Sequence, residues 1–315
     1  MASAALAASP HTVAVLPLWN VAFSDEHVHH QTCHRPANSD LISYPEQQVG
    51  DDQGDRHGGR SMRPRKPLRT KRITGHDDAF GLEMLSYLKG GSPFEIVERD
   101  DGYIEAARST AHYFARFEHW PRRQQLSMRF VNAQHALDVG CGAGRVSLYL
   151  QEKDLRVTAI DTSRLAIQIC QQRGVKDAQV LGIEDLGHLH SESFDTVILF
   201  GNNFGLFGNF RKAQRLLKQL HQMTTDGAVL IAETINPYKT NNPFHRRYQR
   251  QNRQRGRMAG QIRIRIRFQG YASRWFDYLF VSPHEMKKIV KGTGWKLKRF
   301  IESDHPSYVA VIGKV

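Results

Sequence analysis

From Asp77 onward the apolar residues of this chain fall into helical and strand-like periods, and the switches between them lay out its elements. The segment "AFGLEMLSYLKGG" repeats at helical spacing and stops at Gly90-Gly91, as a C-terminal cap does. "DGYIEAARSTAHYFARFEHW" predicts a second helix, and "PRRQQLSMRFV" a third that opens on Pro121, where proline costs a helix least. The first strand is "HALDVG". After it come helix "RVSLYLQEK", strand "RVTAID", helix "SRLAIQICQQR" closed by Gly174, strands "AQVLGI" and "DTVILFG", helix "RKAQRLLKQLHQM" and strand "AVLIAE". A late helix, "SPHEMKKIVKGTG", and two strands, "WKLKRFIES" and "YVAVIGKV", close the pattern. This alternation predicts an α/β fold: a Rossmann-like, doubly wound, seven-stranded and mostly parallel sheet with N-terminal helices before it and an antiparallel β-hairpin inserted late.

The insertion is carried by "GQIRIRIRFQG", Gly260 to Gly270. Its period of two sets Ile262, Ile264, Ile266 and Phe268 on one face and Arg263, Arg265 and Arg267 on the other. The expected partner strand is "ASRWFDYLFV". A two-residue loop at Gln269-Gly270 would oppose Arg265 to Arg274 and Ile262 to Asp277. A three-residue loop, Gln269 to Tyr271, instead opposes Arg263 to Asp277, Arg265 to Trp275, Ile264 to Phe276 and Ile262 to Tyr278. That second register matches charge with countercharge and a guanidinium with an indole face, and it is the predicted one. The isoleucines are expected to pack inward, leaving the arginines to guard an edge or to face an anionic substrate.

The chain therefore divides into a disordered N-terminal extension (1–74), a helical lead-in or lid (75–131), a cofactor-binding core (132–238), a basic helix with the hairpin as substrate cap (239–281), and a last helix and strands that complete the sheet (282–315). Residues 1–74 lack either period. Their tract "HVHHQTCH" fits no metal-ligand spacing, so no metal is expected. The net charge of +13 is concentrated: Pro243 to Phe300 holds sixteen Lys or Arg against two acids, Asp277 and Glu285. Such a segment suits an anionic partner. No apolar run is long enough for a membrane span, and three cysteines form no disulfide framework, so a cytoplasmic protein is expected.

Candidate chemistry centres on "LDVGCGAGR", Leu137 to Arg145, where an apolar strand runs through Gly140, Gly142 and Gly144 into a helix. Glycine serves where the backbone turns tightly and a ligand approaches it. The spacing is not that of a dinucleotide site, and Asp138 just before the first glycine would oppose a pyrophosphate. A ligand with a cationic amino acid head and no phosphate fits better, as S-adenosylmethionine does. Asp161, at the end of "VTAID", stands where an acid accepts from ribose hydroxyls, or else N-caps the next helix. Phe200 and Gly201 end a strand at the sheet's carboxyl edge, beside the reacting methyl, with Asn202 and Asn203 either beside the substrate or simply turn residues.

"LDVGCGAGR", "VTAID" and "FDTVILFGNNFGL", in this order and spacing, resemble the class I S-adenosylmethionine-dependent methyltransferases, and within them a bacterial group with a helical lead-in and a late hairpin. The resemblance spans roughly Asp77 to Val315. It implies that Asp138, Gly140, Cys141 and Gly142 flank the methionine part, that Asp161 and Thr162 lie at the ribose, and that the Ile183 backbone N–H meets the adenine. Gly182 stands where the adenine-binding acid is common, leaving Glu184 or Asp185 for that role. Tyr113 and Phe114 would form a lid or belong to a helix core, with His112, His119 and Arg116 weaker candidates. The catalytic candidates are Asn202, Asn203 and Tyr113. No general base stands out among His245, Glu233 and Asp277. Three functions are consistent with these residues: a small-molecule methyltransferase, an RNA or other nucleic-acid methyltransferase using the basic segment, and a non-catalytic binding protein.

Overall fold

The computed structural model describes residues 77–131, 134–189 and 193–315; the N-terminal extension and its histidine tract lie outside the described residues. Its centre is a seven-stranded sheet in the order β11-β12-β7-β6-β3-β4-β5. The strands are β3 (His135–Val139), β4 (Arg156–Asp161), β5 (Asp177–Val180), β6 (Phe194–Leu199), β7 (Thr224–Ile235), β11 (Trp295–Ile301) and β12 (Ser307–Lys314). β3 to β7 run parallel, β12 lies antiparallel to β7, and β11 antiparallel to β12. Helices α3 (Arg145–Gln151), α4 (Arg164–Gln172), α5 (Phe210–Gln222) and α7 (Pro283–Val290) flank these strands. All five residues of β3 are buried, which explains why its sequence shows no polar face. The strand order reverses between β3 and β6, so a crevice opens where their carboxyl ends diverge.

The predicted hairpin is part of something larger. Residues 104–109, expected to be helical, form β2 (Ile104–Ser109), paired antiparallel with β1 (Phe94–Arg99), and the helical lead-in is therefore half strand. β1 then pairs with β8 (Gln261–Phe268), which pairs with β10 (Phe276–Leu279), giving a second sheet in the order β10-β8-β1-β2. After β2 the chain continues as short 3-10 turns, Thr110–Phe114 and Phe117–His119, and only then as helix α2 (Arg122–Ser127). The first predicted helix is present as α1 (Ala79–Leu88), and the basic helix as α6 (Pro243–Gln254).

The cross-strand pairs Ile262 with Tyr278, Arg263 with Asp277 and Ile264 with Phe276 form as predicted, and the Arg265 guanidinium lies 4.7 Å from the Trp275 ring centre. The loop that produces them differs. Phe268 pairs with Tyr271 and Arg267 with Ala272 in the short strand β9 (Tyr271–Ala272), so the loop is only Gln269-Gly270, with Gln269 at a φ of 51°. An extra residue between β9 and β10 shifts the register by one, and Ser273 Oγ accepts from the Ile266 amide at 2.9 Å where the ladder is interrupted. β8 is also not an edge strand. It is flanked by β10 and β1, and Glu98 of β1 accepts from Arg265 and Arg267 at 2.8 and 3.1 Å. These arginines hold the Glu98 carboxyl below the ordinary carboxylate range.

The second sheet turns its other face toward the core. Val97 pairs with both Glu105 and Ile266, and Arg99 pairs with Ile264, so these side chains share one face with Glu95. Ile264, Ile266 and Tyr278 are buried on it, as the isoleucine pattern anticipates. Two carboxyl groups are fully buried nearby, Glu105 on this face and Glu83 on α1. Burial raises Glu105 to about 9. Burial, with Glu95 beside it, raises Glu83 to about 8, opposed by a hydrogen bond from Thr110.

Both folded values lie above those of an unfolded glutamate, so each group stabilises the fold when protonated, and that contribution fades as pH rises through the folded value. Denaturant unfolding should therefore show stability falling between about pH 5 and 9 by on the order of a few kcal/mol, and E83Q with E105Q should flatten the slope. A stability that rises across this interval in the wild-type chain would contradict the assignment.

Candidate functional site

The glycine turn after β3 is shaped by its neighbours. Gly140, Gly142 and Gly144 all take positive φ, at 70°, 55° and 77°, and Gly144 caps α3. A Cβ on Gly142 would come within 3.3 Å of the Tyr113 ring, so a side chain there would be both strained and crowded. Tyr113 crosses the turn edge-on to Phe80 and donates to Glu95 Oε2 at 2.9 Å, tying the turn to β1. Of the two aromatic residues weighed as a lid, Tyr113 therefore has the position. Phe114 instead stacks on Tyr87 with Arg173 over it. Arg116 and His119 are exposed, and His112 is half-buried.

Two buried aspartates frame the turn. Asp161 Oδ2 accepts from the Gly142 amide at 3.0 Å and Oδ1 from the Ser163 amide at 2.9 Å. Ser163, not Asp161, is the N-cap of α4, so the capping alternative for Asp161 does not hold. Each oxygen keeps a lone pair for a hydroxyl donor. Asp138 accepts from Ser147 Oγ at 2.7 Å, which braces the start of α3. Burial raises both aspartates to about 6. Cys141 turns its thiol away from the crevice, 3.7 Å from the Cys170 sulfur, among Ala159, Ile167 and Val175.

Beyond β4, Thr162 is exposed and its methyl lies against Gly182, and Ile183 is buried at the start of a 3-10 turn. Glu184 pairs with Lys212 on α5, whereas Asp185 Oδ2 lies within 3.3 Å of where a Gly182 Cβ would be. Of the two acids, then, Glu184 is paired with a later helix and Asp185 lies beside Gly182.

On the other bank, the Phe200 ring packs into the core against Trp120, leaving only its backbone at the sheet edge. Gly201 has a φ of 73°, and a Cβ there would meet nothing within 4 Å, so its surroundings are open. Its amide donates to Glu233 Oε2 at 2.8 Å. Glu233 is also bound by Arg123 Nε and Gln124 Nε2, both at 2.6 Å, and Arg145 Nη2 donates to Gln124 Oε1 at 2.9 Å. Glu233 is therefore a structural anchor and not a base facing a substrate. Asn203 Nδ2 donates to the Val139 and Gly140 carbonyls at 3.0 and 2.9 Å and locks the glycine turn. Asn202 takes a left-handed conformation and its carbonyl accepts from Tyr278 at 2.7 Å, while its buried side-chain Oδ1 has no hydrogen-bond partner among the described residues. Asp277 is exposed, and burial holds His245 near a pKa of about 4, where it hydrogen bonds with Thr240.

Sequence reasoning missed several residues that shape the site. Asp78 accepts from Gly81, Ser163 and Leu165 and so fastens α1 to α4 beside Asp161. Glu95 on the second sheet holds Tyr113 over the glycine turn, and Glu83 on α1 accepts from Thr110, which precedes Tyr113 in sequence. An acid on the buried face of a strand erases the apolar alternation by which that strand would be recognised.

This geometry agrees with what similar proteins show. Residues 137–232 match the model of the family described as Methyltransferase domain. A protein of Geobacillus sp. (strain WCH70) that carries the name of a methyltransferase is 24% identical over 138 residues, which cover 41% of this chain and 55% of that one. The chain thus spans about half the length of this curated relative. An S-adenosylmethionine-dependent methyltransferase from Bacteroides fragilis, solved with S-adenosyl-L-homocysteine, superposes with a TM-score of 0.65 at 20% identity, covering 77% of this chain and 97% of that one. Residues 137–232 of the chain thus match a methyltransferase domain, on a fold shared with an S-adenosylmethionine-dependent methyltransferase.

Proposed function

We propose that the protein transfers a methyl group from S-adenosylmethionine to a small molecule held between the carboxyl edge of the core sheet and the second sheet. The observation that carries this reading is the double attachment of the second sheet over the crevice. Tyr113, bound to Glu95, crosses the Gly142 turn, and the Tyr278 hydroxyl binds the Asn202 carbonyl on the opposite bank. A roof fastened to both banks suits an enclosed acceptor better than a nucleic-acid strand. The basic ladder agrees with this, because Arg265 and Arg267 share Glu98 on the outer face and Arg274 pairs with Asp77.

The residues present fit the methyl donor. The turn at Gly140 to Gly142 offers bare backbone beside Asp138, for an amino acid head. Asp161 has acceptor capacity for ribose hydroxyls, with Thr162 next to it. The Ile183 amide and Asp185 stand where an adenine ring would be read, and the Phe200 backbone and Gly201 border the reacting end. S-adenosylmethionine supplies a methyl group on a cationic sulfur, an electrophile that needs alignment more than acid or base assistance. This chain's part is to orient and enclose: Asn203 fixes the turn, Glu233 fixes Gly201, and Tyr113 keeps water from the Gly142 side. The absence of a positioned base among His245, Glu233 and Asp277 is compatible with that division of labour.

Calorimetric titration should show saturable binding of S-adenosylhomocysteine. D161A should weaken it about ten- to a hundredfold, the effect of losing hydrogen bonds to a charged acceptor, with unfolding followed in parallel. Retention of wild-type affinity by a folded D161A protein would remove Asp161 from the ribose site. In the same titration D185A should weaken binding by about tenfold while E184A stays within about twofold, because Glu184 is engaged by Lys212. The reverse order would return the adenine role to Glu184.

A further inference from the structure

The cations of the basic segment meet two different fates. On β8 and after it, Arg265 and Arg267 bind Glu98 and Arg274 binds Asp77, so these guanidinium groups are neutralised within the chain. Helix α6 and the turn that follows it differ. Arg246, Arg247, Arg250, Arg253, Arg255 and Arg257 are all exposed, and none has a carboxylate within ion-pairing distance among the described residues. No acid occurs in the sequence between Glu233 and Asp277, so α6 has no countercharge along its own length. Two aspartates that approach its buried side are already engaged: Asp100 accepts from Tyr248, and Asp101 binds Arg99.

The exposed face is held on a firm mount. His245, Tyr248, Gln249 and Asn252 are buried on the opposite side, where they hydrogen bond with Thr240, Asp100, the Pro237 carbonyl and the Ala259 and Gln261 carbonyls. At about 100° per residue, Arg246, Arg247, Arg250 and Arg253 fall within an arc of about 120° on the side away from those four. Residues four apart rise by about 6 Å along the axis, a step comparable to that between successive phosphates of an extended strand. Arg246 is fixed further by donating to the Thr240 carbonyl and Asn241 Oδ1 at 3.1 and 2.9 Å. Two aromatic residues border the row, Phe244 on α6 and Tyr238 close to Arg253, and they are 52% and 48% exposed.

We propose that the outer face of α6 docks the phosphate backbone of single-stranded nucleic acid, with Phe244 and Tyr238 as stacking platforms at its flanks. This surface is separate from the crevice and leaves the enclosed acceptor as it is. Arginine suits the role because its planar guanidinium offers two parallel donors to one phosphate. Charge left unpaired in the chain is balanced by solvent ions, and a polyanion that displaces them gains their release. A single strand presents both phosphates and open base faces, which matches a row of cations bordered by uncovered rings. A lipid surface would call for apolar side chains on the crest of the helix, where the sequence places Arg247, Arg250 and Gln254 instead.

The test is fluorescence anisotropy of a labelled oligouridine of about 20 nucleotides, titrated with the full chain at several salt concentrations. Binding should saturate at about 50 mM salt and weaken about fiftyfold by about 200 mM, the dependence set by roughly four phosphate contacts on a single strand. R247Q with R250Q should weaken binding at low salt by about tenfold or more and halve the salt slope. K288Q with K291Q removes the same charge from exposed positions at the end of α7 and should change affinity by less than about threefold. F244A should weaken binding several-fold without altering the slope, because it removes stacking and no charge. S-adenosylhomocysteine affinity should stay within about twofold in all of these variants, which reports that they are folded. Absence of oligouridine binding, an unchanged slope in R247Q with R250Q, an equal loss in the lysine pair, or tighter binding of an RNA duplex or of phosphatidylserine vesicles each overturns the proposal.

Discussion

The position of both banks of the crevice depends on one buried carboxylate. Glu233 lies near the carboxyl end of β7, 1% exposed, and burying an isolated charge there would be costly. It is instead saturated by Arg123, Gln124 and the Gly201 amide, and Gln124 carries the connection on to Arg145 at the start of α3. A single side chain thus couples the end of β6 to the helix that follows the glycine turn. The arrangement is all-or-none in character, because removal of any donor leaves part of a buried charge unpaired. It also explains why α2, a short helix with little apolar surface, occupies a fixed place against the sheet.

From that fixed floor the roof gains its geometry. Tyr113 and Tyr278 reach it from different elements and bind different banks, so neither sheet can slide without losing a buried hydrogen bond or a close packing contact. Gly205 is part of this fit, since any side chain at that position would enter the Tyr278 ring. The acids that flank this fit are held inside it: Glu95 accepts from Tyr113 and Glu83 from Thr110, and burial raises Glu83 and Glu105 so that both are buried in protonated form.

The core was legible because its signals are local. "LDVGCGAGR" concentrates a strand, three positive-φ glycines and a helix start in nine residues, and the strand order follows from the alternation after it. The second sheet was illegible for the opposite reason. β1 has Glu95, Val97 and Arg99 on its inward face, and β2 has Glu105, so period two is present in the backbone but absent from hydrophobicity. The segment around Tyr113 then read as a helix because its aromatic residues happen to fall near helical spacing. The hairpin pairs were readable from charge and aromatic matching, while the two-residue loop with its compensating bulge was not, since Ser273 carries no pattern that marks an interrupted ladder. In the same way, the pairing that distinguishes Glu184 from Asp185 comes from Lys212, a partner on a later helix.

The arginine ladder shows how a charge count and a charge position can lead to opposite conclusions. Taken from the sequence, the basic segment argues for an anionic partner, and the ladder is its most regular part. The alternation that spaces the arginines also sends every isoleucine to the other face, so the more regular the ladder, the more completely its charge is excluded from the crevice. Glu98 then takes up two of the three arginines on the outside, and the Trp275 ring covers Arg265. The inner face is left to Val97, Ile264, Ile266 and Phe276, with Glu95, Arg99 and Glu105 among them. Burial keeps Glu105 protonated and uncharged at neutral pH, so the regular alternation that displays the arginines outside produces a largely apolar surface within.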